Sequence, residues 1–177
     1  MRLVTGTERG LTLVELLVVL PIAAIIGLAA MGTISQIIQS SHNSERIAAL
    51  RQVQTAGYWI SKDGAQAQKI VVSPGSGFNL TLTWTDWDDS ETHQVEYSLQ
   101  PVGSGGLCHL QRREVRGAGG ADSAVTTVAQ YIDPSGTNCT PEGRQLKPGE
   151  ALIVTVTARV GQQTETRRYE IQPRALL

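Results

Sequence analysis

The sequence is poor in the features from which nucleic-acid surfaces and common active sites are built. Its 177 residues hold 15 lysines and arginines against 16 aspartates and glutamates, and the basic residues form no cluster of the kind that binds phosphate backbones. Its three histidines are scattered, and no Gly-x-Ser-x-Gly, His-Glu-x-x-His or glycine-rich phosphate-binding motif occurs. These absences predict a protein that is not an enzyme and has no direct nucleic-acid site.

Charge is also missing from a long stretch near the N-terminus. Residues 16–34 contain no Asp, Glu, Lys or Arg and are almost purely apolar. At a rise of about 1.5 Å per residue, such a run spans close to the ~30 Å hydrocarbon layer of a bilayer. Arg2 and Arg9 precede it, and basic residues favour the cytoplasmic side, so we expect a single-pass protein with its N-terminus inside.

Glu15 is the one acid at the edge of this run. A carboxylate inside an apolar helix costs on the order of 2.5–3.5 kcal/mol at the membrane centre and less near an end. Such an acid usually has a partner, and a cationic group on a neighbouring subunit would serve. The alternative is an acid near the cytoplasmic interface that reaches water.

The order of the segments matters for processing. A secretory signal peptide has its cleavage site after the apolar core, so the core is discarded. Here the obvious processing point, Gly10, comes before the core. Cleavage after Gly10 would keep the core and expose the α-amino group of Leu11.

The run Gly10-Leu11-Thr12-Leu13-Val14-Glu15-Leu16-Leu17-Val18 resembles the N-terminal signal of type IV prepilins and type II secretion pseudopilins. In that family a membrane aspartic peptidase, the prepilin peptidase, cuts after the glycine and N-methylates the new first residue. The resemblance implies cleavage after Gly10, methylation of Leu11, and a role for Glu15 in subunit assembly. Leu11 stands where the family usually has phenylalanine.

The resemblance also implies partners and a location. The partners are the prepilin peptidase, other pilins or pseudopilins, an inner-membrane platform protein and an assembly ATPase. The precursor would lie in the inner membrane with its head in the periplasm, and then enter a filament in the periplasm or at the cell surface. Residues 54–67 and 169–174 are similar to segments of larger minor pilins and J-type minor pseudopilins, which favours a minor subunit.

The pattern becomes amphipathic after Ser35, and then alternates. Apolar and small residues recur at spacings of three and four and predict a helix that ends near Lys69. They are Ile47, Leu50, Val53, Gly57, Ile60, Gly64 and Ala67. Alternating runs predict six strands at about 78–84, 95–99, 107–115, 125–132, 151–160 and 164–171.

These elements predict an α+β fold, in which a long N-terminal helix packs on a C-terminal antiparallel sheet. The predicted organisation is a leader at 1–10, a transmembrane or filament-core helix at 11–35, an amphipathic helix at 36–70, and a β head at 71–177.

Cys108 and Cys139 are the only cysteines. A head outside the cytoplasm lies where thiols oxidise, so we expect a disulfide between them. Closing the loop between the two residues would contribute roughly 3–4 kcal/mol by the loop-entropy model. The alternative is two unpaired thiols.

Asp86, Asp88 and Ser90 offer side-chain oxygens at alternate positions, as at the start of a calcium loop. However, the sixth position holds Glu91 rather than glycine, and the twelfth holds Tyr97 rather than glutamate. An acidic, solvated hairpin tip is therefore favoured. We expect no cofactor, and calcium is the one metal left open.

A different class of protein also fits part of the pattern. The chain would then be a periplasmic β-domain binding protein, held by an uncleaved single-pass anchor or released by a signal peptidase near residues 28–31. A calcium-dependent binding head is compatible with either class. The residues leave open whether a filament would serve a pilus, DNA uptake or protein secretion.

Overall fold

The computed structural model describes residues 13–74, 78–86, 88, 91–117, 122–147 and 149–174. These residues form one long helix, α1 (Leu13–Gln66), which is followed by a curled antiparallel sheet. The strands of the described chain are β1 (Lys69–Val72), β2 (Asn79–Thr85), β3 (Thr92–Pro101), β4 (Cys108–Arg116), β5 (Asp122–Ile132), β6 (Asn138–Thr140), β7 (Leu152–Val160) and β8 (Gln163–Ile171). The predicted α+β fold is confirmed.

The chain divides into two compact units that part between Ser41 and His42, within α1. In the first unit, all of residues 13–41 are exposed, including their large apolar side chains. This part of α1 is long and apolar enough to cross a membrane, judged by length and composition. It contains Pro21, which the helix accommodates without an interruption.

In the second unit, residues 42–177, the rest of α1 buries one face. The buried residues of the helix are Ala49, Val53, Ala56, Gly57, Ile60, Asp63 and Gly64. Four members of the predicted stripe are confirmed among them, but Ile47 is wrong, because 52% of its surface is exposed. The buried face is centred on small residues, because β8 approaches the helix closely at two of its glycines.

The strand order is β1-β2-β3-β4-β5-β7-β6, with β8 paired to β7. The first five strands form consecutive antiparallel pairs. β5 is joined to β7 through a single residue pair, Ile132 with Ala158. Tyr131, just before that pair, has a positive φ of 58°, which is costly for a non-glycine residue and redirects the end of the strand.

The six predicted strands are confirmed to within a few residues, whereas β1 and β6 were not predicted. α1 ends at Gln66, before the predicted end near Lys69, and β1 begins at Lys69 itself. β1 and β6 have four and three residues. Strands that short show too little alternation to be distinguished from a helix end or a loop.

The predicted disulfide is absent from this structure, in which Cys108 and Cys139 are buried free thiols. Cys108 begins β4 and Cys139 lies in β6, and β5 and β7 lie between these strands in the sheet. Three strand spacings amount to about 14 Å along the sheet. A disulfide tolerates a Cα separation of only about 7 Å.

Candidate functional site

The predicted processing and assembly residues lie at the start of the chain. Gly10 and Leu11 fall outside the residues that the structure describes, so their roles remain predictions. Glu15 lies in the first turn of α1 and is exposed.

The segment that resembles the start of a calcium loop is described only in part. Asp86 follows β2, and its Oδ2 lies 3.1 Å from Nε2 of His93. Asp88 is exposed in a turn, and Ser90 is outside the described residues. Within the described ranges, no three His, Cys, Asp or Glu residues come together in a way that could hold a metal ion. Calcium binding by the complete loop therefore stays the less favoured alternative to an acidic, solvated hairpin tip.

The head contains a polar cavity of about 610 Å³ beside the last turns of α1. One wall comes from the helix, and the floor comes from the ends of β2, β3 and β4. The lining residues are Trp59, Lys62, Asp63, Gln66, Trp84, Asp86, His93, Arg112, Glu114, Arg116 and Arg174. Charged side chains of both signs dominate this set, so their pairing determines what the cavity can do.

Asp63 is the centre of the charged network. It is only 2% exposed, yet its carboxylate accepts three hydrogen bonds, which compensate for its burial. Nε and Nη2 of Arg112 donate at 2.7 and 3.1 Å, and the hydroxyl of Tyr97 donates at 2.5 Å. Burial and the adjacent carboxylate raise the pKa of Tyr97 well above its ordinary value, so the phenol keeps its proton and remains a donor.

Glu114 extends the network along β4. It accepts hydrogen bonds from Nη1 of Arg112 at 2.7 Å and from Nε of Arg116 at 2.8 Å. Burial alone would raise the pKa of Glu114, but these charged hydrogen bonds outweigh it and lower the pKa to about 2. The Glu114 side chain is therefore ionised over the whole physiological range.

Aromatic rings complete the cavity. The guanidinium of Arg112 lies 5.3 Å from the ring centre of Trp59, and the ammonium of Lys62 lies 5.1 Å from it. Trp84 and His93, opposite each other on β2 and β3, stack with ring centres 5.2 Å apart. His93 lies near two carboxylates, but neither ring nitrogen makes a well-aligned hydrogen bond within the described chain.

Chemically, this arrangement fastens the end of α1 to the sheet. Asp63 belongs to the helix, Tyr97 to β3 and Arg112 to β4, so the hydrogen bonds connect three elements. The two most buried carboxylates of the cavity, those of Asp63 and Glu114, are both paired with arginine. Reasoning from sequence missed this network. The available signals were the alternation of Arg112, Glu114 and Arg116 on one strand, and an acid three residues after Ile60 on the buried helix face.

Comparisons of the chain with protein-family models, with curated proteins and with solved structures find no match.

Proposed function

We propose that this chain is a structural subunit, of the minor kind, in a type IV pilus or a type II secretion pseudopilus. The observation that carries this function is the motif from Gly10 to Glu15, which directly precedes the charge-free half of α1. Each part of the motif has a mechanical role in that family: a processing glycine, a new N-terminus, an acid and an uninterrupted apolar helix.

The exposure of the first unit supports this function. Large side chains such as Leu13, Ile25 and Met31 are 80%, 67% and 71% exposed. A continuous apolar surface of this kind is unstable in water and needs a covering. A bilayer provides one covering, and a bundle of similar helices in the core of a fibre provides another.

Assembly would then follow from charge neutralisation. Prepilin peptidase cuts after Gly10 in the inner membrane and methylates Leu11, and the helix moves sideways from lipid into the growing fibre. There the carboxylate of Glu15 pairs with the terminal amine of Leu11 in a neighbouring subunit, because two opposite charges in an apolar core neutralise each other. The heads, outside the cytoplasm, form the surface of the fibre, and the platform protein and the ATPase drive its extrusion.

The first test is the N-terminus of the protein isolated from membranes, with and without co-expressed prepilin peptidase. We expect a peptidase-dependent chain that begins at Leu11 and is one methyl group heavier by intact mass. Gly10→Val should block this cleavage, and Gly6→Val, a matched change within the leader, should not. A chain that begins at Met1 in both samples, or near Met31, would instead support an anchored or secreted β domain.

The second test separates assembly from processing. Glu15→Gln should be cleaved normally but should be depleted at least tenfold from sheared filaments, because the amine of the neighbour then lacks its counter-charge. Glu142→Gln removes an exposed acid of the head and should assemble as the unaltered chain does. Equal incorporation of Glu15→Gln would rule out the pairing.

A further inference from the structure

β5 has an open edge that the rest of the sheet leaves unpaired. On one side it pairs with β4 along its length, and on the other only Ile132 pairs, with Ala158 of β7. Closer to its end, the amide of Gln130 donates to Oε1 of Gln52 at 2.8 Å. Among the described residues, no strand covers the remaining edge at 123–129, which follows Asp122, the one charged residue in the sequence of β5.

This edge lacks the protection that sheet edges usually carry. Residues 123–127 are all exposed, and Val125 is 59% exposed. No charged residue occurs from Ser123 to Ile132, and the sequence is rich in valine and threonine, which favour strands. Natural proteins blunt such edges with charges, proline, short strands or a covering segment, because an open edge is a template for strand addition.

The other edges of the same sheet are blunted in these ways. The outer edge of β1 is covered by residues 144–146, through backbone hydrogen bonds of 3.1 and 3.0 Å. β6 has only three residues. β8 carries four charged side chains: Glu165, Arg167, Arg168 and Glu170. β5 is thus the exception within the described sheet.

We propose that β5 is a self-association edge, at which a second copy of this chain adds its own β5 in antiparallel orientation. The lack of charge favours a second copy as the occupant, since an uncharged edge meets itself without like-charge contacts, whereas a charged edge would need a complementary partner. Val125, Thr126 and Thr127 then lie opposite valine or threonine residues of the second copy, across the twofold axis. Such β-branched pairs stabilise neighbouring strands.

The proposed dimer buries a small area, and its twofold symmetry gives it no polarity. Strands of about eight residues bury less than the roughly 1,200 Å² typical of stable complexes, so the dimer is weak and depends on concentration. An isologous dimer lacks polarity, whereas a pilus-like fibre has it. The dimer is therefore a state of the subunit before it enters a fibre. It requires no processing at Gly10, so it can be tested in the unprocessed full chain.

The experiment measures the dimer fraction of the full chain in detergent micelles by sedimentation over a range of concentrations. Thr126→Lys and Thr126→Glu should each lower the association constant at least tenfold, because like charges then meet at the edge. An equimolar mixture of the two variants should restore association. Thr164→Lys places the same charge on β8 and should leave association unchanged.

Two results would contradict self-association through β5. A wild-type chain that stays monomeric at all concentrations would overturn the self-association edge. So would a dimer that persists equally in every variant, since it would then form through another surface, such as the apolar half of α1. Circular dichroism and thermal midpoints equal to those of wild type would establish that the variants are folded.

Cross-linking provides an independent readout. Single cysteines placed in turn at residues 123–127 should form an intermolecular disulfide under mild oxidation, with the highest yield at the residue nearest the twofold axis, where Cα atoms approach within about 7 Å. Arg168→Cys, on the edge of β8, should not cross-link. The native cysteines are buried and serve as an internal blank. A flat yield across all positions would contradict an ordered strand pair.

Discussion

Tyr169 lies across α1 at Gly57, and its hydroxyl donates a hydrogen bond of 2.8 Å to the carbonyl oxygen of Val53. A Cβ atom at Gly57 would lie far inside van der Waals contact with the Tyr169 ring, so only glycine leaves room for this side chain. Gly64 stands in a similar relation to Ile171. Each glycine costs on the order of 1 kcal/mol of helix stability, which the close packing of β8 offsets.

Gly57→Ala should therefore destabilise the head although alanine is the better helix former. We expect a loss of about 2 kcal/mol or more, because the ring of Tyr169 must move and its hydrogen bond breaks. Denaturant unfolding in micelles measures this loss. Gly105→Ala, at a loop site with nothing within 4 Å, should change stability by no more than about 0.5 kcal/mol. A stabilising Gly57→Ala would refute the close approach.

Asp63→Asn should be among the most damaging single changes in the head. It removes the carboxylate that binds Nε and Nη2 of Arg112, whose side chain is 12% exposed, and leaves this guanidinium only Glu114. The cost should lie at the lower end of about 3–5 kcal/mol. Glu165→Gln breaks the ion pair with Arg46, whose side chain is 68% exposed, and should cost less than about 1 kcal/mol. Denaturant unfolding measures both losses. Equal losses of unfolding free energy in the two variants would show that Asp63 stabilises the head no more than an exposed ion pair does.

Acid should weaken the network through Glu114. Its pKa is about 2 in the folded head, below the roughly 4.3 of an unfolded chain. The stabilisation is therefore complete above about pH 4.3 and is lost as the pH falls towards 2. The difference in unfolding free energy between wild type and Glu114→Gln should shrink over this range. A gap that stays constant from pH 5 to pH 2 would contradict the assignment.

Glu150 provides a matched comparison for this titration. Hydrogen bonds from Arg144 and from the backbone of Lys147 lower the pKa of Glu150 to about 2 as well, but this side chain is 31% exposed, against 15% for Glu114. Water and salt screen exposed pairs. The pH-dependent gap for Glu150→Gln should therefore be smaller than that for Glu114→Gln and should fade in high salt.

The two cysteines should behave as protected thiols. Burial raises the pKa of Cys139 to about 12, with a further contribution from Glu142, and burial also raises the pKa of Cys108. The unreactive thiol form therefore dominates at pH 8. Iodoacetamide should leave the folded chain unmodified and add two groups after unfolding without a reductant. No adducts after unfolding would instead reveal a disulfide.

Much of the fold follows from periodicity. The charge-free run, the helical stripe around Val53 and Ile60, and the alternation in β2 and β7 are each long enough to identify their elements. The predicted stripe of α1 includes both buried glycines, Gly57 and Gly64, but it wrongly includes Ile47 and leaves out Ala49 and Ala56. The real face is centred on Ala49, Ala56 and two glycines, whose small size is what the approach of β8 requires.

The network around Asp63 and the spacing of the cysteines could not be predicted in the same way. Tyr97 and Arg112 meet Asp63 only because their strands lie side by side under one turn of the helix, which is a matter of register and not of local pattern. Likewise, Cys108 and Cys139 are separated by the insertion of β7 between β5 and β6, an order that no local signal encodes.

The single residue pair that joins β5 to β7 has a mechanical consequence. This pair forms a seam between strands β1–β5 and strands β6–β8, and the helix within residues 42–66 makes hydrogen bonds to both parts of the sheet. Asp63 holds Arg112 on one side of the seam, and Val53 holds Tyr169 on the other. Tension applied along this stretch of helix is therefore passed to the sheet on both sides of the seam, and not across the single pair alone.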